Sequence, residues 1–194
     1  MTLQFDQKKI TYDEYLTWGE GIFCEALDGS IINMSPAPTP KHQAILRELL
    51  TDFSVFLRGK ECNVFGSQID VCLFSEKETT YKNIKDWVQP DLVVVCDKRK
   101  IDEKRIIGAP DLVIEILSPS TSKNDRVLKY SKYEKAGIKE YWIVDPYNEF
   151  IEVYLLDNKV YKQKGSYFKS DLIPVSIFDK FEIDLSNIFQ QEEE

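Results

Sequence analysis

The sequence predicts an α/β sandwich whose core runs helix, three strands, helix, strand, and three observations carry that reading. Apolar residues recur at spacings of three and four from His42 to Leu57, the signature of one helical stripe. Two later segments, Asp91 to Cys96 and Asp111 to Leu117, are apolar on both faces, as strands in a covered sheet are. A helical segment from about Lys123 to Ala136 then precedes another buried strand, Tyr141 to Val144, and a crossover of that length lets the last two strands lie parallel.

Taken in order, Thr11 and Glu14 make a capping-box pattern and predict a short helix over Tyr12 to Trp18. Phe23 to Leu27 and Ser30 to Met34 flank Asp28-Gly29, a dipeptide that tolerates the positive φ angles of a type I′ hairpin turn. The run Ser35-Pro36-Ala37-Pro38-Thr39-Pro40 reads as an extended connector. Ile45, Leu46, Leu49, Leu50, Phe53 and Phe56 form the stripe of the long helix. Asn63 to Phe74 reads as one strand, with Asp70 on a polar face shared with Gly66, Gln68 and Cys72. Ser120, Thr121 and Ser122 are candidate N-caps for the crossover helix and Gly137 is its natural stop. Phe150 to Leu156 and Lys159 to Lys164, around Asp157-Asn158, predict a C-terminal hairpin. The expected organisation is one domain over 1–194: an N-terminal helix and hairpin to 40, a core over 41–147, strands over 148–189 and an acidic tail over 190–194.

Lys and Arg number 25 against 33 Asp and Glu, giving a net charge of −8, which argues against a broad basic surface and leaves nucleic acid only a local patch. No apolar run reaches the ~20 residues of a bilayer helix, and the N-terminus lacks a signal-peptide pattern, so the expected location is cytoplasmic, with no membrane contact. Cys24, Cys62, Cys72 and Cys96 form no CxxC pair and read as buried thiols. With His42 the only histidine, a metal would have to be held by carboxylates.

Two segments repeat one pattern, Pro90-Asp91-Leu92-Val93-Val94-Val95 and Pro110-Asp111-Leu112-Val113-Ile114-Glu115. Glu115 falls in the middle of an apolar strand, where a carboxylate is costly unless paired, protonated or bound to a cation. Asp111 is four residues away along the strand, ~13 Å, too far to share one ion with it. Asp91 on a neighbouring strand can converge with Glu115, since paired strands lie ~4.8 Å apart, and two such acids suit Mg²⁺ or Mn²⁺. On the crossover helix, Arg126, Lys129, Tyr130, Tyr133 and Gly137 share one face, which directs the Lys129 ammonium toward the same acids if that face packs on the sheet.

At these residues the chain resembles the Uma-two family of restriction-endonuclease-like proteins, within the PD-(D/E)XK nuclease superfamily. The resemblance covers most of the chain: Glu25-Ala26-Leu27-Asp28-Gly29, His42 opening the long helix, Gln89-Pro90-Asp91, the run from Gly108 through Asp111 and Glu115 to Thr121, and Glu140-Tyr141-Trp142-Ile143-Val144-Asp145-Pro146. It implies a restriction endonuclease-like αβββαβ core with helices flanking a mixed central sheet, carrying the N-terminal and C-terminal hairpins as additions. It also implies a Mg²⁺- or Mn²⁺-dependent endonuclease acting on DNA, with Asp91 and Glu115 as metal-binding and catalytic acids. Leu117 stands where the superfamily commonly places its catalytic lysine, and Lys129 is the candidate replacement. Glu25 and His42 lie in segments the resemblance brings near the cleft, as auxiliary metal or water contacts. Cutting both strands commonly needs two centres, so a homodimer is the expected working form.

Plainer readings use the same residues. Glu115 fits a buried acid paired with Arg126 or Lys129, Asp91 fits a solvated strand end, and Lys129 fits a lysine whose stem covers Tyr133. The cluster Lys98, Arg99, Lys100, Lys104 and Arg105 fits a solvated loop, or a grip on phosphate. Leu117 and the net charge also suit a catalytically silent nuclease-fold binding or assembly module, and a phosphoesterase acting on nucleotides is a third reading.

Overall fold

The computed structural model describes residues 9–19, 21–33, 38–119 and 122–190. Met34, residues 35–37 of the connector, the candidate caps Ser120 and Thr121, and 191–194 of the tail lie outside them. The elements are α1 (Tyr12–Tyr15), β1 (Glu25–Leu27), β2 (Ser30–Asn33), α2 (Pro40–Leu57), β3 (Asn63–Gly66), β4 (Asp70–Cys72), β5 (Trp87–Val88), β6 (Leu92–Val95), β7 (Arg105–Ile107) and β8 (Leu112–Ile116). They continue with a π-helical stretch, Asn124–Lys129, running into α3 (Tyr130–Ala136), then β9 (Glu140–Asp145), β10 (Phe150–Asp157), β11 (Val160–Phe168), β12 (Leu172–Pro174), β13 (Glu182–Asp184) and α4 (Leu185–Ile188).

The central six-stranded sheet has the order β11-β10-β9-β8-β6-β3 and is mixed, with β8 and β9 parallel across the crossover helix. Alternation along its strands sorts the core into two layers. Leu92, Val94, Leu112, Ile114 and Trp142 face α2 and the C-terminal elements, against Ile45, Leu49, Phe53 and Phe181. Val93, Val95, Val113, Tyr141 and Ile143 face the opposite way, against Tyr133 of α3 and Val71 and Ile106 of a second sheet.

Local chemistry accounts for the best-read elements. Thr39 caps α2 by accepting the His42 N–H at 3.2 Å, and Pro40 takes the first turn, where its missing N–H costs nothing. Asp28 (φ 50°) and Gly29 (φ 74°) form a two-residue turn pairing Leu27 with Ser30. Gly137 (φ 88°) ends α3 in the left-handed conformation.

The structure corrects the sequence reading at six places. The span Asn63 to Phe74 is two strands in different sheets: β3 pairs β6 in the central sheet, and after Gly66 the chain crosses to β4 in the second. Asp70 therefore faces a buried network of Tyr12 and Gln89 rather than an open polar face. The five-stranded sheet β2-β1-β5-β4-β7 is unforeseen because its strands run only two to four residues, too short for alternation to show. The C-terminal turn is Asn158-Lys159, both at positive φ, one residue later than read, since Asp157 pairs with Val160. Helix α1 stops at Tyr15. Cys62 and Cys96 are not free thiols: the β3–β6 register sets Asn63 beside Val95, placing the two cysteines together, and they form a disulfide. Such a bond persists in an oxidising setting and is opened by a reducing cytosol. Cys24 and Cys72 remain free and buried. Among the described residues no helix is long and apolar enough to cross a membrane.

A Cβ added at Gly29 would lie 2.8 Å from the Ile10 carbonyl oxygen, whereas one at Gly59 (φ 78°) meets nothing within 4 Å. Urea unfolding should therefore show Gly59→Ala losing about 1 kcal/mol, for the left-handed backbone alone, and Gly29→Ala losing roughly 2–4 kcal/mol. Equal losses would mean that the hairpin does not pack on Ile10 as described.

Candidate active site

The register of the central sheet brings the two predicted acids to one place. β6 and β8 pair Leu92 with Ile114, so one step outward Asp91 stands opposite Glu115. Asp91 Oδ2 accepts the Ile116 N–H at 2.7 Å, which ties it to the end of β8, and Asp91 Oδ1 lies 3.0 Å from His42 Nε2 in the first turn of α2. Asp111 is held at the far end of β8 by the Cys96 N–H (2.8 Å) and Lys139 (2.7 Å), outside this group as its spacing requires.

Glu115 is 4% exposed and Lys129 3%. The Lys129 ammonium lies 2.9 Å from Glu115 Oε1, 2.7 Å from Glu25 Oε1 and 3.5 Å from Asp125 Oδ1. Tyr133 donates its hydroxyl to the same Glu115 oxygen at 2.6 Å, and the Gln89 N–H donates to Glu25 Oε1 at 2.7 Å. Gln89 continues through its side chain to Asp70 (2.7 Å), which also accepts the Tyr12 hydroxyl (2.6 Å). Leu117, at the usual lysine position, is buried in the core layer facing α3. Arg126 pairs instead with Glu152, which removes it as a partner for Glu115.

The π-helical stretch sets this geometry. The Tyr130 N–H reaches back five residues to the Asp125 carbonyl, and in this stretch Asp125 and Lys129 face inward while Val127 and Leu128 face out. Asp125 is the functional candidate that sequence reading missed; its i,i+4 spacing to Lys129 is the signal that could have found it.

These side chains line a pocket of about 740 Å³, with His42, Gln89, Ser118 and Tyr147 also in its wall. Four carboxylates, Glu25, Asp91, Glu115 and Asp125, share it with the buried Lys129, and the other lysine, Lys41, is half exposed and 3.8 Å from Glu149. The electrostatic result is an excess of negative charge in a dry setting. Burial pushes the Glu115 carboxyl well above the ordinary glutamate range; Lys129 opposes this, while Asp125, Glu25 and Asp91 add to it. Burial works against the Lys129 ammonium, but the surrounding carboxylates outweigh it and hold its pKa well above the ordinary lysine range. Among the described residues no three His, Cys, Asp or Glu side chains form a ready-made metal cage. Asp91 and Glu115 are carboxylates of the kind a hard divalent ion takes, and Mg²⁺ needs only one or two of them from a protein, but both Asp91 oxygens and Glu115 Oε1 already have partners here.

A mixed sheet with a parallel crossover pair, flanked by α2 and α3 and presenting two acids and a lysine at one end, is a restriction-endonuclease-like arrangement. The chain belongs to the Uma2 family, whose model, described as "Putative restriction endonuclease", matches residues 12–186. It is 30% identical over 149 residues to the uncharacterized protein slr1290 of Synechocystis sp., covering 75% of this chain and 74% of that one. A crystal structure described as "a putative nuclease belonging to DUF820", from Anabaena variabilis, matches with a TM-score of 0.71 at 24% identity, covering 93% of this chain and 97% of that one, a likeness of fold.

The raised Glu115 carboxyl fixes the sign of a stability test. A buried acid whose pKa rises on folding contributes stability while protonated and loses it as pH climbs from the unfolded value through the folded one. Glu115→Gln should therefore melt above the wild type at neutral pH, by about 2–4 °C for roughly 1 kcal/mol, and the gap should close as pH falls below the ordinary glutamate range. A variant less stable than wild type at neutral pH would show that Glu115 acts chiefly as a structural partner of Lys129.

Proposed function

We propose that this chain is a divalent-metal-dependent endonuclease that hydrolyses DNA phosphodiester bonds, with Asp91 and Glu115 holding Mg²⁺ or Mn²⁺ and Lys129 as the catalytic cation. The observation that carries this reading is Glu115: a carboxylate buried in mid-sheet, beside Asp91 and under an acidic excess that Lys129 alone does not neutralise. Burying such a group is costly, and strongly shifted buried acids concentrate at functional sites. Family membership supports the reaction class.

A divalent ion held by Asp91 and Glu115 supplies Lewis-acid polarisation of a phosphoryl oxygen and favours the ionised form of water. The chain's own residues do the rest. The Ile116 N–H and His42 fix the Asp91 carboxylate from two sides, and Tyr133 orients Glu115. Lys129, held protonated by its acidic neighbours, presents positive charge where a phosphate accumulates negative charge in the transition state. Glu25 and Asp125 position Lys129 in place of the lysine that Leu117 displaces. The net charge of −8 confines DNA contact to a local patch, and cutting both strands calls for two such centres, which a homodimer would supply. A DNA substrate would put the working protein in the cytoplasm, where the Cys62–Cys96 bond would be open.

Incubation of purified protein with supercoiled plasmid and Mg²⁺ or Mn²⁺ should give nicked and linear products that EDTA abolishes. Asp91→Asn, Glu115→Gln and Lys129→Met should each lower the rate by about 10²–10³, and His42→Gln by about 10-fold. Metal-independent cleavage, or cleavage untouched by Asp91→Asn and Glu115→Gln, would overturn the assignment. A wild type with no cleavage under any divalent ion would favour the silent binding module.

A further inference from the structure

Arg105 in β7 is 6% exposed, and among the described residues its Nε and Nη1 have no hydrogen-bond partner. Its nearest carboxylate, Asp102, lies 3.7 Å from Nε, in ion-pair range but not hydrogen-bonded. Asp70, which also feels the guanidinium, already has its oxygens on the Tyr12 hydroxyl and the Gln89 amide. Tyr81 covers one side of the guanidinium at 4.2 Å and Tyr12 lies 5.5 Å away, contacts that offset some desolvation but accept no N–H. A buried guanidinium with two of its three nitrogens unpartnered is a costly arrangement, and such groups are normally satisfied by a carboxylate or a phosphate.

The surroundings match that vacancy in charge. Arg105 lines a second pocket, of about 540 Å³, in which four cations, Lys77, Lys98, Arg99 and Arg105 itself, outnumber two acids, Glu78 and Asp102. Arg99 is engaged by Asp97 through two hydrogen bonds, which leaves the exposed Lys77 and Lys98 as the other cations of the rim. This wall is formed by the 77–81 segment, the 98–102 segment and β7 of the second sheet, and shares no residue with the pocket containing Glu115.

We propose that this pocket binds a phosphate group, with Arg105 as its buried anchor and Lys77 and Lys98 as its outer contacts, separately from the Glu115 centre. The chemistry is a phosphoryl oxyanion, and its two sources are a free phosphate or mononucleotide and the backbone of a nucleic acid. The proposal stands on Arg105 and its pocket, and does not depend on the chain being a nuclease.

The test is thermal and calorimetric titration of the full chain with inorganic phosphate at constant ionic strength, with chloride as the control. Wild type should show saturable binding and stabilisation that chloride does not reproduce. Lys98→Ala, a surface change that leaves folding intact, should weaken binding about 3-fold, Lys77→Ala/Lys98→Ala about 10-fold, and Arg105→Gln should abolish it, while Glu115→Gln should leave it unchanged. Titration with a short DNA duplex in place of phosphate separates the sources: competition with phosphate that is lost in Lys77→Ala/Lys98→Ala assigns the pocket to backbone, and its absence assigns it to a free phosphate compound. No phosphate-specific binding by wild type, equal binding by wild type and Lys77→Ala/Lys98→Ala, or loss of binding in Glu115→Gln would overturn the proposal.

Discussion

The Lys129 ammonium, enclosed by Glu25, Glu115 and Asp125, is the interaction around which the rest of the site is organised. It joins three separately placed pieces of chain: the first hairpin through Glu25, the central sheet through Glu115, and the crossover helix that carries Lys129 itself. A single cation cannot balance three buried carboxylates with Asp91 beside them, so the cluster keeps an unspent affinity for positive charge. Burial and these acidic neighbours push the Glu115 carboxyl up, while Lys129 opposes them. On the proposed reading a divalent ion would compete for the same place, so that its binding would be coupled to proton release.

This arrangement explains a local irregularity of the fold. A regular α-helix is the default after Ser122, yet the chain runs through a π-helical stretch, and that stretch carries the inward-facing Asp125 and Lys129. Widened turns of this kind concentrate where side-chain direction matters more than backbone regularity. Likewise Asp91 stands just before β6, at the point where its side chain can accept the Ile116 N–H, so the acid is fixed by the strand it faces. The core layers on either side of β6 and β8 make the platform rigid enough to hold these distances.

How much of this was legible in the sequence depended on whether the physics was local. The α2 stripe, the Asp28-Gly29 turn and the strands around Leu92 and Leu112 follow from spacing and turn chemistry, which neighbouring residues alone dictate. The opposition of Asp91 and Glu115 followed from side-chain alternation, and the position of Lys129 from helical periodicity together with the resemblance. The second sheet was hidden because strands as short as Trp87–Val88 carry no period, and the break after Gly66 because both halves of that segment are strand-like and only tertiary pairing separates them. The Cys62–Cys96 bond depends on strand register across a separation of 34 residues, which spacing alone does not reveal. Asp125 and Arg126 are adjacent charges on one helical turn, and only tertiary pairing, Arg126 with Glu152 of β10 and Asp125 with Lys129, shows which of them belongs to the site.

The central claim is that the buried acids hold an ion-binding capacity that Lys129 leaves unfilled, and calorimetric titration of Mn²⁺ into the metal-free chain at two buffer ionisation enthalpies tests it most directly. The account predicts one saturable site per chain, with proton release on binding, lost in Glu115→Gln and retained in Lys129→Met. Mn²⁺ binding that survives Glu115→Gln unchanged, or no specific binding at all, would contradict it.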